Sequence, residues 1–331
     1  MSLKPSFRLA ELAEVRIEGS VLGNGQKLNA AELIWKANCI QGTRMPKLSS
    51  ESLLSRAIDK IRRRFRFFMS DVKEKLTVRK SEFTEFNPPN RLKRMVGGEK
   101  GFKDLGEEFL RYFVDICGLK PNERILDVGC GVGRIACALT TYLNQEGSYE
   151  GFDIIPEAID WDNKMITPKF PNFHFQLVDI YNKNYNPKGK YCAWEFKFPY
   201  EAESFDFVFL ASVFTHMLPK DMEGYLSEVA RVLKPNGRCL ITFFLLNPES
   251  IKLIESKSGI LDFQYQLEGY RTVSRKVPEC AIAYDEATIR ALYERYGLFI
   301  TQPIHYGSWS GRKSYLSTQD IIVVVKKAKH N

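Results

Sequence analysis

Between Ile125 and Arg134 the chain reads Ile-Leu-Asp-Val-Gly-Cys-Gly-Val-Gly-Arg, an apolar run that ends at Asp127 and then places glycine at every second position. Lacking a Cβ, Gly129, Gly131 and Gly133 let the backbone turn sharply and approach a ligand to contact distance. The spacing is G-x-G-x-G, and Arg134 stands where a nicotinamide dinucleotide fold would want its third glycine. A second apolar segment ends at Asp153, where a carboxylate can accept hydrogen bonds from both hydroxyls of a ribose. A third runs into Asp179, and a fourth is followed by His216, whose imidazole, with an ordinary pKa of about 6.5, suits a general base at neutral pH, with packing or capping at a helix end as the alternative. The chemistry these residues suggest is a nucleoside-bearing ligand held by backbone and carboxylates, with a base beside it.

The elements that must position them follow a β/α rhythm. Strands are expected at 125–128, 148–152, 173–178 and 205–210, the last a Phe-Asp-Phe-Val-Phe-Leu run of the kind buried on both faces of a parallel sheet. Tyr225, Leu226, Val229, Val232 and Leu233 form one helical stripe over 222–233, and Lys234-Pro235-Asn236-Gly237 stops that helix before a fifth strand. In an open α/β sheet, ligands collect at the carboxyl ends of the strands. Three segments leaving those ends are long or aromatic. They are 181–204, with Trp194 among seven aromatics, 247–284, and the link from His305 to Gln319, with Tyr306, Trp309, Arg312 and Tyr315. Rings beside an Arg suit stacking on a sugar or aryl face, so Trp194, Tyr306, Trp309 and Arg312 are candidate acceptor contacts; a secondary aromatic core is the equal alternative.

This chain of motifs resembles the class I S-adenosylmethionine-dependent methyltransferases. The resemblance rests on the acid and glycine spacing of 127–133, on Asp153, and on the strand, helix, Lys-Pro-x-Gly turn and strand that follow 205. It covers roughly 96–247, with looser matches at 298–301 and 320–325. Asn236 replaces the first of the two glycines usual in that turn, and Asn tolerates a left-handed backbone. The resemblance implies a Rossmann-like, seven-stranded, mostly parallel sheet with an antiparallel last strand and helices on both faces. It implies S-adenosylmethionine as cofactor, bound by Asp127, Gly129, Cys130, Gly131 and Gly133, with Asp153 on the ribose, Ile154 on the adenine face, Asp179 and Ile180 near the adenine amino group, and Ala211 at the end of the fourth strand.

The 331 residues suit one catalytic domain, 91–331, behind an N-terminal extension, 1–90, with Pro88-Pro89 as the boundary. Within that extension, 52–80 carries ten Lys or Arg against three acids, +7 of the chain's +8. Its apolar residues recur at steps of three and four, which predicts a basic amphipathic helix. That helix would lie on an anionic membrane surface, dock a partner, or pack on its own domain. Residues 1–51 carry no readable function. No apolar stretch reaches the roughly twenty residues that span a bilayer, and the first residues lack a signal-peptide core, so the expected location is cytoplasmic, with a peripheral membrane association through 52–80. Seven cysteines form no C-x-x-C pair and four histidines no metal-binding spacing, so neither disulfides nor a metal is expected.

For the acceptor, the segment after the fourth strand, 211–214, lacks the Asn/Asp-Pro-Pro-aromatic tetrad of amino-group methylation, and no cysteine follows closely enough for a nucleobase adduct. O-methylation of a small molecule or sugar remains as the expectation. RNA held by the basic helix, and a non-catalytic module that binds cofactor and partner, are the alternatives. Nucleic acid is the weaker expectation, and oligomeric state is not legible.

Overall fold

The computed structural model describes residues 86–95, 101–301 and 303–328. Residues 1–85 of the extension, with the expected helix at 52–80, lie outside them.

Seven strands form the main sheet: β1 (Arg124–Val128), β2 (Ser148–Asp153), β3 (Phe173–Leu177), β4 (Phe205–Leu210), β5 (Leu233–Phe243), β10 (Leu298–Ile300) and β11 (Asp320–Lys326), ordered β10-β11-β5-β4-β1-β2-β3. Strands β1 to β5 pair in parallel, while β11 runs antiparallel between β5 and β10, as the resemblance implies. The order reverses at β1, which sends the chain to β2 and β3 on one side and to β4 on the other. That reversal opens a crevice at the carboxyl ends of β1 and β4.

Alternation along the strands supplies two cores. On one face Ile125, Phe207, Phe209, Ile321 and Val323 pack under α2 (Phe102–Asp115) and α3 (Arg134–Leu139). On the other, Leu126, Val208, Leu210, Ile322 and Val324 pack under α5 (Pro219–Val232) and α7 (Glu286–Arg295). Helix α1 (Asn90–Met95) precedes these, and α4 (Pro156–Met165) follows β2 with Pro156 at its first position. Asn236 adopts φ 64, the left-handed turn its side chain tolerates.

The segment 247–284 has regular structure of its own. It carries α6 (Pro248–Glu255), where Asn247 and Ser250 form a reciprocal capping box. With β6 (Leu245–Leu246), β7 (Tyr265–Leu267), β8 (Tyr270–Thr272) and β9 (Ile282–Asp285) it builds a second sheet of order β6-β9-β8-β7. This subdomain has its own core of Phe244, Leu246, Ile254, Phe263, Ala283 and Trp309.

Candidate active site

The glycine turn leaves β1 and passes over the end of β2. Gly129 and Cys130 both donate their backbone N–H to the Phe152 carbonyl, and Gly131 N–H donates to Asp153 Oδ2 at 2.7 Å. Glycine is demanded here sterically. Gly129 has φ +81, and a Cβ would stand 2.5 Å from Val213 Cγ2. Gly133 has φ +60, and a Cβ would meet Asp162 Oδ1 at 2.7 Å.

A cavity of about 480 Å³ lies against this turn. Gly129, Gly131, Asp153, Ile154, Ile180 and Ala211 line it, so six of the ten residues expected to bind cofactor converge there. Asp153 is buried; its Oδ1 accepts from Ile155 N–H at 3.0 Å while its Oδ2 holds Gly131. Burial pushes its pKa up, and the N–H donors of Gly131, Ile155 and Ile154 oppose that. A carboxylate has about four acceptor positions, so capacity remains for a diol.

The other four stand apart from the cavity lining. Asp127 is buried and accepts the Tyr149 hydroxyl at 2.6 Å; burial pushes its carboxyl up to about 8, which the Tyr149 hydrogen bond lowers and Asp153 raises. Cys130 is buried, with its thiol pKa pushed well up by burial, and Gly133 caps α3 above Asp162. Asp179 is exposed and its backbone carbonyl receives Lys190 and Tyr191 N–H, so its carboxylate braces a turn, 3.4 Å from Asn186 Nδ2, outside the cavity.

His216 lines the cavity. Its Nδ1 lies 2.9 Å from the Glu279 carbonyl oxygen, which accepts only a proton, so Nδ1 carries the hydrogen and Nε2 is left as the acceptor. Nε2 stands 3.4 Å from the Tyr185 hydroxyl, whose ring meets the imidazole edge-on. Burial lowers the His216 pKa, against the opposing backbone bonds of Glu279 and Cys280.

None of the four expected acceptor contacts lines this cavity. Trp309 is fully buried, donates its indole N–H to Asp320 Oδ2 at 2.8 Å and packs between Phe244 and Phe263. Arg312 is buried too, bonded to Glu249, Asn247 and Ser310 and placed over the Tyr306 ring. Tyr306 donates to Glu286, and Trp194 lies on the surface under the Lys220 ammonium. For Trp309 the alternative of a secondary aromatic core is the observed one. Tyr306 and Arg312 instead border a separate, more open recess with Tyr315.

Sequence reasoning assigned no role to several cavity residues. Arg134 starts α3 beside the Phe102 ring, with its pKa lowered by burial. Ser212, in a left-handed conformation at φ 62, donates to Gln319 Oε1. Ser317, Thr318 and Gln319 complete the wall just before β11. The signal for the last three was their place at the mouth of the sheet, where the aromatics a few residues earlier drew attention instead.

Residues 119–276 match the sequence model of a methyltransferase domain. The domain over these residues belongs to the class I S-adenosylmethionine-dependent methyltransferase family. An uncharacterised methyltransferase of Schizosaccharomyces pombe is 31% identical over 125 residues, 36% of this chain and 39% of that protein. Phosphoethanolamine N-methyltransferase 3 of Arabidopsis thaliana is 28% identical over 161 residues, 47% of this chain and 28% of its own length. The sterol 24-C-methyltransferase of Schizosaccharomyces pombe is 29% identical over 136 residues, 40% and 29% of the two chains. The chain thus spans 28–39% of the length of these relatives. Among its described residues no helix is long and apolar enough to cross a membrane, and no cluster of three or more His, Cys, Asp or Glu could hold a metal.

Proposed function

We propose that this methyltransferase O-methylates a hydroxyl of a small or sugar-bearing acceptor, glycolipids included. One observation carries the reading: a half-buried His216 whose Nδ1–H is committed to the Glu279 carbonyl, leaving a basic Nε2 beside the Tyr185 hydroxyl in the cavity. An alcohol keeps its proton at neutral pH, so transfer to oxygen is helped by a base at the acceptor, a contribution of roughly 10²–10⁴-fold. Burial keeps that imidazole neutral and ready to accept.

S-adenosylmethionine supplies an electrophilic methyl group on its sulfonium. The residues present fit such a ligand. The backbone of Gly129 and Gly131 leaves room for close approach, Asp153 has acceptor capacity for the ribose hydroxyls, and Ile154 and Ile180 offer apolar flanks to the adenine. Asp127 acts at one remove, bracing β1 against β2 through Tyr149. Relatives whose names specify a phosphoethanolamine nitrogen and a sterol carbon make the acceptor atom the point to test.

The test incubates the protein with methyl-labelled S-adenosylmethionine and cell extract divided into small-molecule, lipid and glycan, RNA, and protein fractions. Label recovered as an O-methyl ether in either of the first two supports the reading, and label released as methanol, the mark of a carboxyl ester, does not. Label in RNA or on nitrogen or carbon overturns it.

A further inference from the structure

We propose that the rim of the cavity is a docking surface for an anionic membrane, formed by the loop 181–191 and the strap 313–316. Tyr181 and Tyr185 of the first line the cavity, while the second lines the neighbouring recess and leads directly into Ser317, Thr318 and Gln319 of the cavity wall. Both also expose apolar rings beside lysines. Tyr181, Tyr191 and Tyr315 are 44%, 51% and 59% exposed, and Lys183, Lys188, Lys190 and Lys313 stand exposed among them without an ion pair among the described residues. Rings left in water are informative when they cluster.

These rings are not simply on slack chain. Asn182 Oδ1 accepts the N–H groups of Asn184 and Tyr185, its Nδ2 donates to the His216 carbonyl, and Asn186 Nδ2 donates to the Ile180 carbonyl. On the other side the Tyr112 hydroxyl donates to the Leu316 carbonyl. The backbone is thus held in a shape that keeps the rings outward.

Tyrosine and lysine together match the headgroup layer of a bilayer, where an amphipathic ring sits at the interface and an ammonium meets lipid phosphate. RNA would also pair with rings and lysines. The exposed aliphatic side chains of Leu177, at the end of β3, and Leu316, in the strap, decide between them. Leucine adds nothing to base stacking and gains by entering acyl chains. Docking in this way would place the opening against the bilayer.

The experiment sediments the full chain with phosphatidylcholine vesicles and with phosphatidylcholine–phosphatidylserine vesicles. It compares the wild type with Lys183→Glu/Lys188→Glu/Lys190→Glu and with Tyr191→Ser/Tyr315→Ser/Leu316→Ser, each checked for folding by thermal unfolding. The wild type should bind the anionic vesicles alone. The charge-reversed variant should bind on the order of a hundredfold more weakly, from about 1 kcal/mol per lysine at the surface, and the apolar variant should also weaken. Variants that bind like the wild type would assign binding to another segment and overturn the proposal. So would a wild type that binds neither vesicle, or one that binds single-stranded RNA but not vesicles. Sedimentation needs neither cofactor nor turnover, so its failure is separate from failure of the proposed O-methylation.

Discussion

His216 Nδ1 lies 2.9 Å from the carbonyl oxygen of Glu279, a bond between the loop after β4 and the small subdomain that follows β5. It sets the imidazole tautomer from a segment more than sixty residues away in the chain. His216→Ala should lower kcat about a hundredfold or more, with a smaller change in cofactor affinity. Because burial lowers this pKa from its ordinary 6.5, the base form persists into mild acid. The acid limb of the kcat profile should therefore lie below pH 6.5, and a limb above it, or an unchanged kcat in His216→Ala, removes His216 from the chemistry.

Asp153→Ala should leave the protein folded and weaken cofactor binding by roughly tenfold to more than a hundredfold, the loss expected for hydrogen bonds to a charged group. Calorimetric titration with S-adenosylmethionine or its demethylated product measures this directly. Unchanged affinity would move the ribose elsewhere.

Gly129→Ala combines a φ of +81 with a Cβ contact of 2.5 Å to Val213 Cγ2. It should destabilise by about 1–3 kcal/mol. Adding Val213→Ala removes the steric part and leaves the backbone part, so the double mutant should recover some of the stability lost in Gly129→Ala. Denaturant midpoints of both variants and of Val213→Ala alone complete the cycle.

Asp127 gives a pH signature. Burial pushes its carboxyl up to about 8 from an ordinary 3.8, so the native state keeps a proton that the unfolded chain releases between those values. Its contribution is fully present below pH 4 and is lost as the pH rises through 8. Tm measured from pH 5 to 8 should fall less in Asp127→Asn than in the wild type, because the amide cannot ionise and its oxygen still accepts the Tyr149 hydroxyl.

Asp320 ties three segments together, receiving the N–H groups of Gly307 and Leu245 and the indole of Trp309. Asp320→Ala leaves these buried donors unpaired and should cost several kcal/mol, with a shift in Trp309 fluorescence. Trp309→Ala should destabilise by about 3–5 kcal/mol, read from denaturant midpoints.

Local pattern made much of the fold and part of the site legible. A glycine at every second position after an apolar strand, and an acid ending the next strand, have meaning within a few residues, and Gly129, Gly131 and Asp153 do meet at one cavity. The apolar runs of β4 and β11 likewise announce strands covered on both faces. What escaped is what depends on a distant partner. Trp309 and Arg312 look like ligand contacts until Asp320, Phe263 and Glu249 are seen to satisfy them. The capping box at Asn247 and Ser250 was present in the sequence, but the four short strands around it gain their stability only by burying one another's faces. The sequence by itself determined the glycine turn and where strands and helices fall along the chain, because backbone sterics and hydrophobic periodicity are local. Tertiary structure alone decided which polar and aromatic groups remain free to meet a substrate, because burial and hydrogen-bond satisfaction are properties of whatever folds back onto them.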